Sequence, residues 1–284
     1  MDYIKSPMNY IGNKYRIIGQ LKRWFPKQIG TMVDLFCGGC DVAVNTAAAR
    51  IIANDINVYV IRIFQSFQRL GLFATLDYID ETIAAWGLSK ENKDAYLKFR
   101  EHYNKSSRNP LDLYILMCYS FNYQFRFNEA HEYNNPFGAN RSSFNEVMRA
   151  NLVRMFPRLA GIEFVSEDFT RLDLTGLGPG DFLYADPPYL LTCGSYNDGK
   201  RGFKGWGEED EQALYALLDR LDAQGVRFAL SNVSHHKGRR HTRLLNWKAE
   251  HGYHMHRIAF NYDNCNYHAN NRNAITREVL ITNY

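Results

Sequence analysis

Apolar residues recur along this chain in two rhythms, and the points where one gives way to the other mark its elements. Between residues 14 and 25 the apolar positions Ile17, Ile18, Leu21 and Phe25 share one helical face, and Pro26 closes the segment. Short apolar runs follow at 31–36, 51–57, 161–165, 182–185, 226–231 and 278–282, the pattern of strands buried on both faces, with a further strand read at 254–260. An Ala-rich helix at 42–49 and an amphipathic one at 208–223 lie between them. The second is acidic at its start, as the helix dipole favours, and Gly225 ends it. Strands alternating with helices predict an α/β fold built on a mostly parallel sheet. From Val58 to about Gly161 helices dominate, including an apolar one at 112–123, joined by polar and aromatic loops with no clear buried strand. The reading is therefore a domain made of residues 1–58 and 162–284, interrupted by a mainly helical lobe at 59–161.

Carboxylates stand at or just past the ends of these strands. Residues 31–36 carry Asp34 and run into Cys37-Gly38-Gly39-Cys40-Asp41 and a helix. A strand, a tight glycine turn and a helix start form a place for the polar end of a cofactor, because the backbone can approach closely and helix N–H groups point at it. Asp55 ends the next strand about twenty residues past the turn, where an acid in a doubly wound fold bonds a ribose. Asp168 follows the third. The fourth feeds Asp186-Pro187-Pro188-Tyr189. Two prolines fix φ and donate no N–H, so this turn presents carbonyls beside a carboxylate. Such a site receives a donor with two hydrogens, for instance the exocyclic amino group of a base, and Tyr189 offers a face for stacking. Each turn read alone also has an ordinary reading as a loop in an α/β protein.

Composition narrows the classes. At 284 residues and 45% hydrophobic content the chain can bury a large core, and no window approaches the roughly 18 apolar residues of a membrane span. The start of the sequence lacks a signal-like apolar stretch, so a cytoplasmic protein is expected. Five cysteines, mostly far apart, argue for free thiols, and Cys37-x-x-Cys40 has no second pair to complete a zinc site. His251, His254 and His256 are read as surface residues, and no metal is expected. A net charge of +4 does not by itself name a partner. The loops do more. Asn122, Arg126 and Asn128, then Pro136 and Arg141, sit among Tyr and Phe in the inserted lobe, the residue types that base-edge and phosphate contacts require. A glycine-rich loop at 192–206 carries Lys200, Arg201 and Lys204 and is read as able to close over a substrate. Residues 237–243 add Arg239 and Arg240 in a basic run suited to phosphates or to a solvated face. No Gly-x-Ser-x-Gly elbow and no phosphate-binding Gly-Lys-Ser/Thr loop occurs.

Residues 7–14, 34–41, 54–57, 167–169, 186–189, 228–233 and 278–284, taken in order, resemble those of the Dam-like DNA adenine amino-group methyltransferases. The resemblance implies an S-adenosylmethionine-dependent, Rossmann-like sheet with an inserted target-recognition lobe. It implies adenine-N6 methylation of duplex DNA at a specific site, with S-adenosylmethionine as methyl donor. Tyr10 and Lys14 then lie near the methionine end of that cofactor, Asp34, Phe36 and Gly38 at its turn, Asp55 at the ribose, and Asp168 and Phe169 at the adenine. Asp186, Pro187, Pro188 and Tyr189 take the target base, and Arg126 is placed to read a guanine. The family's turn usually ends in glycine where this chain has Cys40, so crowding of the cofactor is expected there. Cytosine-N4 methylation of DNA and adenine methylation of RNA meet the same geometric demand and stay open. A nucleotide-binding oxidoreductase leaves residues 186–189 unexplained, and a non-catalytic DNA binder leaves them intact without a use. A monomer or weak dimer is expected, with a cognate restriction endonuclease as an admissible partner and no membrane.

Overall fold

The computed structural model describes residues 2–192, 205–259 and 276–284. Its centre is one sheet. Strands β1 (Thr31–Asp34), β2 (Arg50–Asn54), β3 (Ile162–Val165), β4 (Phe182–Ala185), β5 (Arg227–His236), β6 (Arg239–Arg240), β7 (His254–Ile258) and β8 (Thr276–Thr282) join in the order β3-β2-β1-β4-β5-β8-β7. β1 to β5 run parallel; β8 lies antiparallel between β5 and β7, and β6 folds back on β5 as a hairpin. Strand order turns back on itself at β1 and β4, which puts a crevice at their carboxyl ends. The α/β fold on a mostly parallel sheet expected from the sequence is the fold found.

Both sheet faces are buried, which is why the strands read as unbroken apolar runs. One face carries Val33, Leu35, Leu183, Ala185, Phe228 and Leu230 against α8 (Glu208–Ala223) and α9 (Thr242–Glu250). The opposite face carries Met32, Phe182, Tyr184, Ala229 and Leu280. On this second face α1 (Ile18–Leu21) is shorter than the expected 14–25, although Ile17, Ile18, Leu21 and Phe25 are all buried as the pattern requires. Likewise α2 spans Asp41–Val44 rather than 42–49. Side chains stop it: the Asn45 amide donates to the Asp41 carbonyl and the Thr46 hydroxyl to the Val42 carbonyl, in competition with the helical backbone. Asn45 also pairs both ways with the Ile4 backbone and so ties the N-terminal segment to the sheet.

The stretch between β2 and β3 is helical. α3 (Val58–Leu70), capped by the Asn57 side-chain amide oxygen, lies on the sheet: Gln65 donates to the Phe164 carbonyl, and Phe64 stacks on Phe164 at 4.8 Å. α4 (Leu72–Trp86), α5 (Lys93–His102) and a π turn at Tyr103–Ser107 surround α6 (Pro110–Tyr119). From Leu111 onward every α6 residue is buried, so the helix is apolar on all sides rather than on one. An irregular loop at 121–145 leads to α7 (Glu146–Leu159), which packs back beside α3. The lobe core and this face of the sheet form one continuous apolar cluster.

Candidate active site

The ends of β1, β2 and β3 are stitched together by one side chain. Asn54 donates to the Leu35 and Glu167 carbonyls and accepts from the Glu167 N–H. Above this seam the turn at 37–40 is held by Asp55, whose two oxygens accept the Gly38 N–H at 2.9 Å and the Asn57 N–H at 2.8 Å. Burial raises the Asp55 pKa, partly offset by those two bonds. Gly38 sits at φ +46° with the Tyr10 ring so close that an added Cβ would lie 2.7 Å from it. Only glycine fits there. Cys40 is also left-handed, at φ 67°, in a conformation that glycine adopts without strain. Its side chain is fully buried as a free thiol, so it turns into the core. Burial pushes both thiols up, which suits inert packing groups. Among the described residues no cluster of metal-ligating side chains forms.

Aromatic rings wall the same turn. Phe36 packs on Phe169 at 5.5 Å and meets Trp206 edge-on at 5.6 Å, with Phe169 and Trp206 5.7 Å apart. The indole N–H of Trp206 is buried and has no hydrogen-bond partner. Asp168 stands beside this wall, one oxygen accepting the Thr170 N–H and hydroxyl. Trp206 was not singled out from the sequence. A lone aromatic after a polar loop carries no periodic signal.

Asp186 lies one strand over, since β1 and β4 are paired with Asp34 opposite Tyr184. Strand alternation sets Asp34, Tyr184 and Glu278 on the same sheet face. Lys14, only 7% exposed, reaches this face; its ammonium is 2.6 Å from Asp186 Oδ2 and 4.0 Å from Glu278 Oε1, and it donates to the Gly12 carbonyl. The Tyr189 hydroxyl is 2.9 Å from Asp186 Oδ1 and 3.0 Å from Glu278 Oε1. Lys14 also lies 5.3 Å from the centre of the Tyr189 ring. Burial lifts the Asp186 pKa above its ordinary value, while Lys14 pulls against it. For Lys14 burial acts downward, but Asp186 and Glu278 together outweigh it and leave its pKa raised. Asp34 is pushed far up, by burial first and then by Asp186; one of its oxygens accepts the Ala43 N–H and the other has no partner. Glu278 is the second residue that sequence reasoning missed. A lone carboxylate heading the apolar run Val279-Leu280-Ile281 was the available signal.

The residues picked for nucleic acid are spread over several surfaces. Arg239 and Arg240 project from the exposed β5–β6 hairpin. Arg243, in the same basic run, is already bound to the carboxylate and carbonyl of Glu208. In the lobe, Asn122 is exposed at φ 54°, Arg126 is half-buried with its Nε unpaired, and Arg141 and Pro136 are exposed. Asn128 spends both ends of its amide on Glu132, closing a short hairpin. Lys200, Arg201 and Lys204, with most of the 192–206 loop, lie outside the described residues.

A family model described as D12 class N6 adenine-specific DNA methyltransferase matches residues 10–258. Over 284 residues the chain is 46% identical to the modification methylase StsI of Streptococcus sanguinis and 45% identical to the type II methyltransferase M.FokI of Planomicrobium okeanokoites. Each match takes in 99% of this chain and 43% of the relative, so the chain spans less than half the length of either. The DNA adenine methylase of Escherichia coli is 27% identical over 229 residues, 79% of each chain.

Proposed function

The chain belongs to the D12 class of N6 adenine-specific DNA methyltransferases, and on that premise we propose that it transfers a methyl group from S-adenosylmethionine to the amino nitrogen of an adenine flipped out of duplex DNA. One observation carries the reading: a half-buried acid and two prolines follow β4, in the strand position next to the glycine turn that ends β1. Donor and acceptor sites are thereby fixed on neighbouring strands.

The residues present fit the cofactor. Gly38 leaves its backbone bare where a Cβ would strike Tyr10, and Asp55 keeps further lone pairs after binding two N–H groups. Phe36, Phe169 and Trp206 supply an aromatic wall, and the buried indole N–H lacks an acceptor. Bound there, S-adenosylmethionine supplies an electrophilic methyl on a sulfonium sulfur. Asp55 would hold its ribose, the aromatic wall and Asp168 its adenine, and Tyr10 and Lys14 its methionine end.

The amino nitrogen of adenine is a poor nucleophile because its lone pair is delocalised into the ring. Asp186 and the Pro187 carbonyl accept its two hydrogens, which favours the tetrahedral nitrogen and frees the lone pair. Pro187 and Pro188 hold these acceptors rigidly, so most of the acceleration comes from positioning. Tyr189 offers its ring to the flipped base and offsets part of the few kcal/mol that flipping costs. Arg126 reads the site from the lobe, with Asn122, Pro136 and Arg141 around it and Asn128 shaping their loop through Glu132. Arg239 and Arg240, with Lys200, Arg201 and Lys204, contact phosphates. The names of the relatives support a modification role beside a restriction endonuclease. The test is Asp186→Ala: transfer of labelled methyl to DNA falls to background while S-adenosylmethionine binding stays within about threefold. Substantial residual transfer removes Asp186 from this role.

A further inference from the structure

The carboxylate assigned to the target base is already occupied. Lys14 holds Asp186 Oδ2 at 2.6 Å, and the Tyr189 hydroxyl faces Asp186 Oδ1 at 2.9 Å. An incoming amino group competes with these two donors for the lone pairs of the same carboxylate. A displaced ammonium or hydroxyl in so buried a place needs another acceptor, since a buried donor without a partner is strongly disfavoured.

Glu278 is within reach of both. It is 4% exposed, its Oε1 is 3.0 Å from the same Tyr189 hydroxyl, and it is 4.0 Å from the Lys14 ammonium. Resting on the reading of Asp186 as the amino-group acceptor, we propose that Glu278 is a positioning residue that takes over the Tyr189 hydroxyl and Lys14 when the target base engages Asp186.

The geometry makes this exchange cheap. A phenol has one proton, so the Tyr189 hydroxyl serves one of its two carboxylates at a time. Rotation of the O–H moves that bond from Asp186 to Glu278 with no displacement of the ring. Lys14 keeps its bond to the Gly12 carbonyl at 2.8 Å and has only to swing its ammonium across the remaining gap. Charge is conserved, because one ammonium stays between the same two carboxylates throughout. No covalent bond changes. The Tyr189 ring stays anchored at its hydroxyl end, so its face remains presented to the base while Asp186 is released. Pairing of β8 with β5 and β7 runs through the backbone at Glu278, and this sheet role does not depend on its side chain.

Two experiments on the full chain test the hand-over. The crystal structure of Asp186→Ala should show the Lys14 ammonium moved to within about 3 Å of a Glu278 oxygen; an ammonium that stays at its present separation, or turns to another acceptor, overturns the proposal. Transfer of tritiated methyl from S-adenosylmethionine to unmethylated mixed-sequence duplex DNA supplies the second readout. Glu278→Ala should lower kcat on the order of 10–100-fold, with the KM for S-adenosylmethionine and the melting temperature little changed. Glu278→Gln keeps an acceptor for Tyr189 but no charge for Lys14, and should fall between the two. Wild-type kcat in both variants, or a loss that merely tracks melting temperature and cofactor binding, overturns the positioning role. If the wild-type protein transfers no methyl, the reading of Asp186 fails instead, and the position of Lys14 in the Asp186→Ala crystal still decides the hand-over.

Discussion

Replacing Lys14 by Met deletes an ammonium 2.6 Å from Asp186 and leaves Asp186 and Glu278 in place at 15% and 4% side-chain exposure. Breaking a buried ion pair from one side costs about 3–5 kcal/mol, and the partial exposure of Asp186 favours the lower end. For a protein of this size about 3 kcal/mol corresponds to a fall in Tm of roughly 6 °C. The deficit must depend on pH in a definite direction. Lys14 has a pKa raised above 10.5, so its charge is constant between pH 5 and pH 8. The folded Asp186 pKa already lies above 3.8 because of burial, and losing Lys14 raises it further. A carboxylate with a raised folded pKa destabilises the fold when ionised and is relieved by protonation. The Lys14→Met deficit is therefore complete above that raised pKa and shrinks as pH falls through it. Thermal unfolding of both proteins at pH 8 and pH 5 measures this. A deficit that is larger at pH 5 than at pH 8, or none at pH 8, would refute the reasoning.

Asp55→Ala removes the acceptor of two buried N–H groups at the cofactor turn, and should weaken S-adenosylmethionine binding by at least about tenfold in calorimetry; unchanged affinity would detach Asp55 from the cofactor. His241 accepts the Leu244 N–H at Nδ1, so its proton sits on Nε2 and is given to buried Glu211 at 2.8 Å. His241→Ala should cost about 3 kcal/mol in urea unfolding while leaving cofactor affinity alone; a loss below about 1 kcal/mol would contradict this. Arg239→Ala with Arg240→Ala should raise the DNA KM and lower the salt slope of binding by up to about two, and Arg243→Ala should do less because Glu208 already holds that guanidinium.

The strands and the carboxylates at their ends were legible because burial on both faces forces unbroken apolar runs that stop at the crevice. The Asp186 to Tyr189 turn was legible for the same reason. Helix lengths were less so. α1 and α2 show apolar patterns longer than the helices themselves, and α2 stops because Asn45 and Thr46 bind carbonyls that the helix would use. Partners distant in sequence were the least visible. Glu278 reads as one charged residue opening a strand until Lys14, from the other end of the chain, is found beside it. Asn128 has the side chain of a base reader, yet its amide closes its own hairpin through Glu132. Nothing in the sequence marks Cys40 as left-handed with a buried thiol, a conformation set by the turn it closes.

The central claim is a methyl group placed on the amino nitrogen of adenine in duplex DNA. Incubation of the purified chain with S-adenosylmethionine and mixed-sequence duplex DNA, followed by digestion to nucleosides and mass spectrometry, tests it directly. The account predicts N6-methyldeoxyadenosine, present with the wild-type chain and absent with Asp186→Ala. N4-methyldeoxycytidine, or no methylated nucleoside from protein that binds the cofactor, would contradict it.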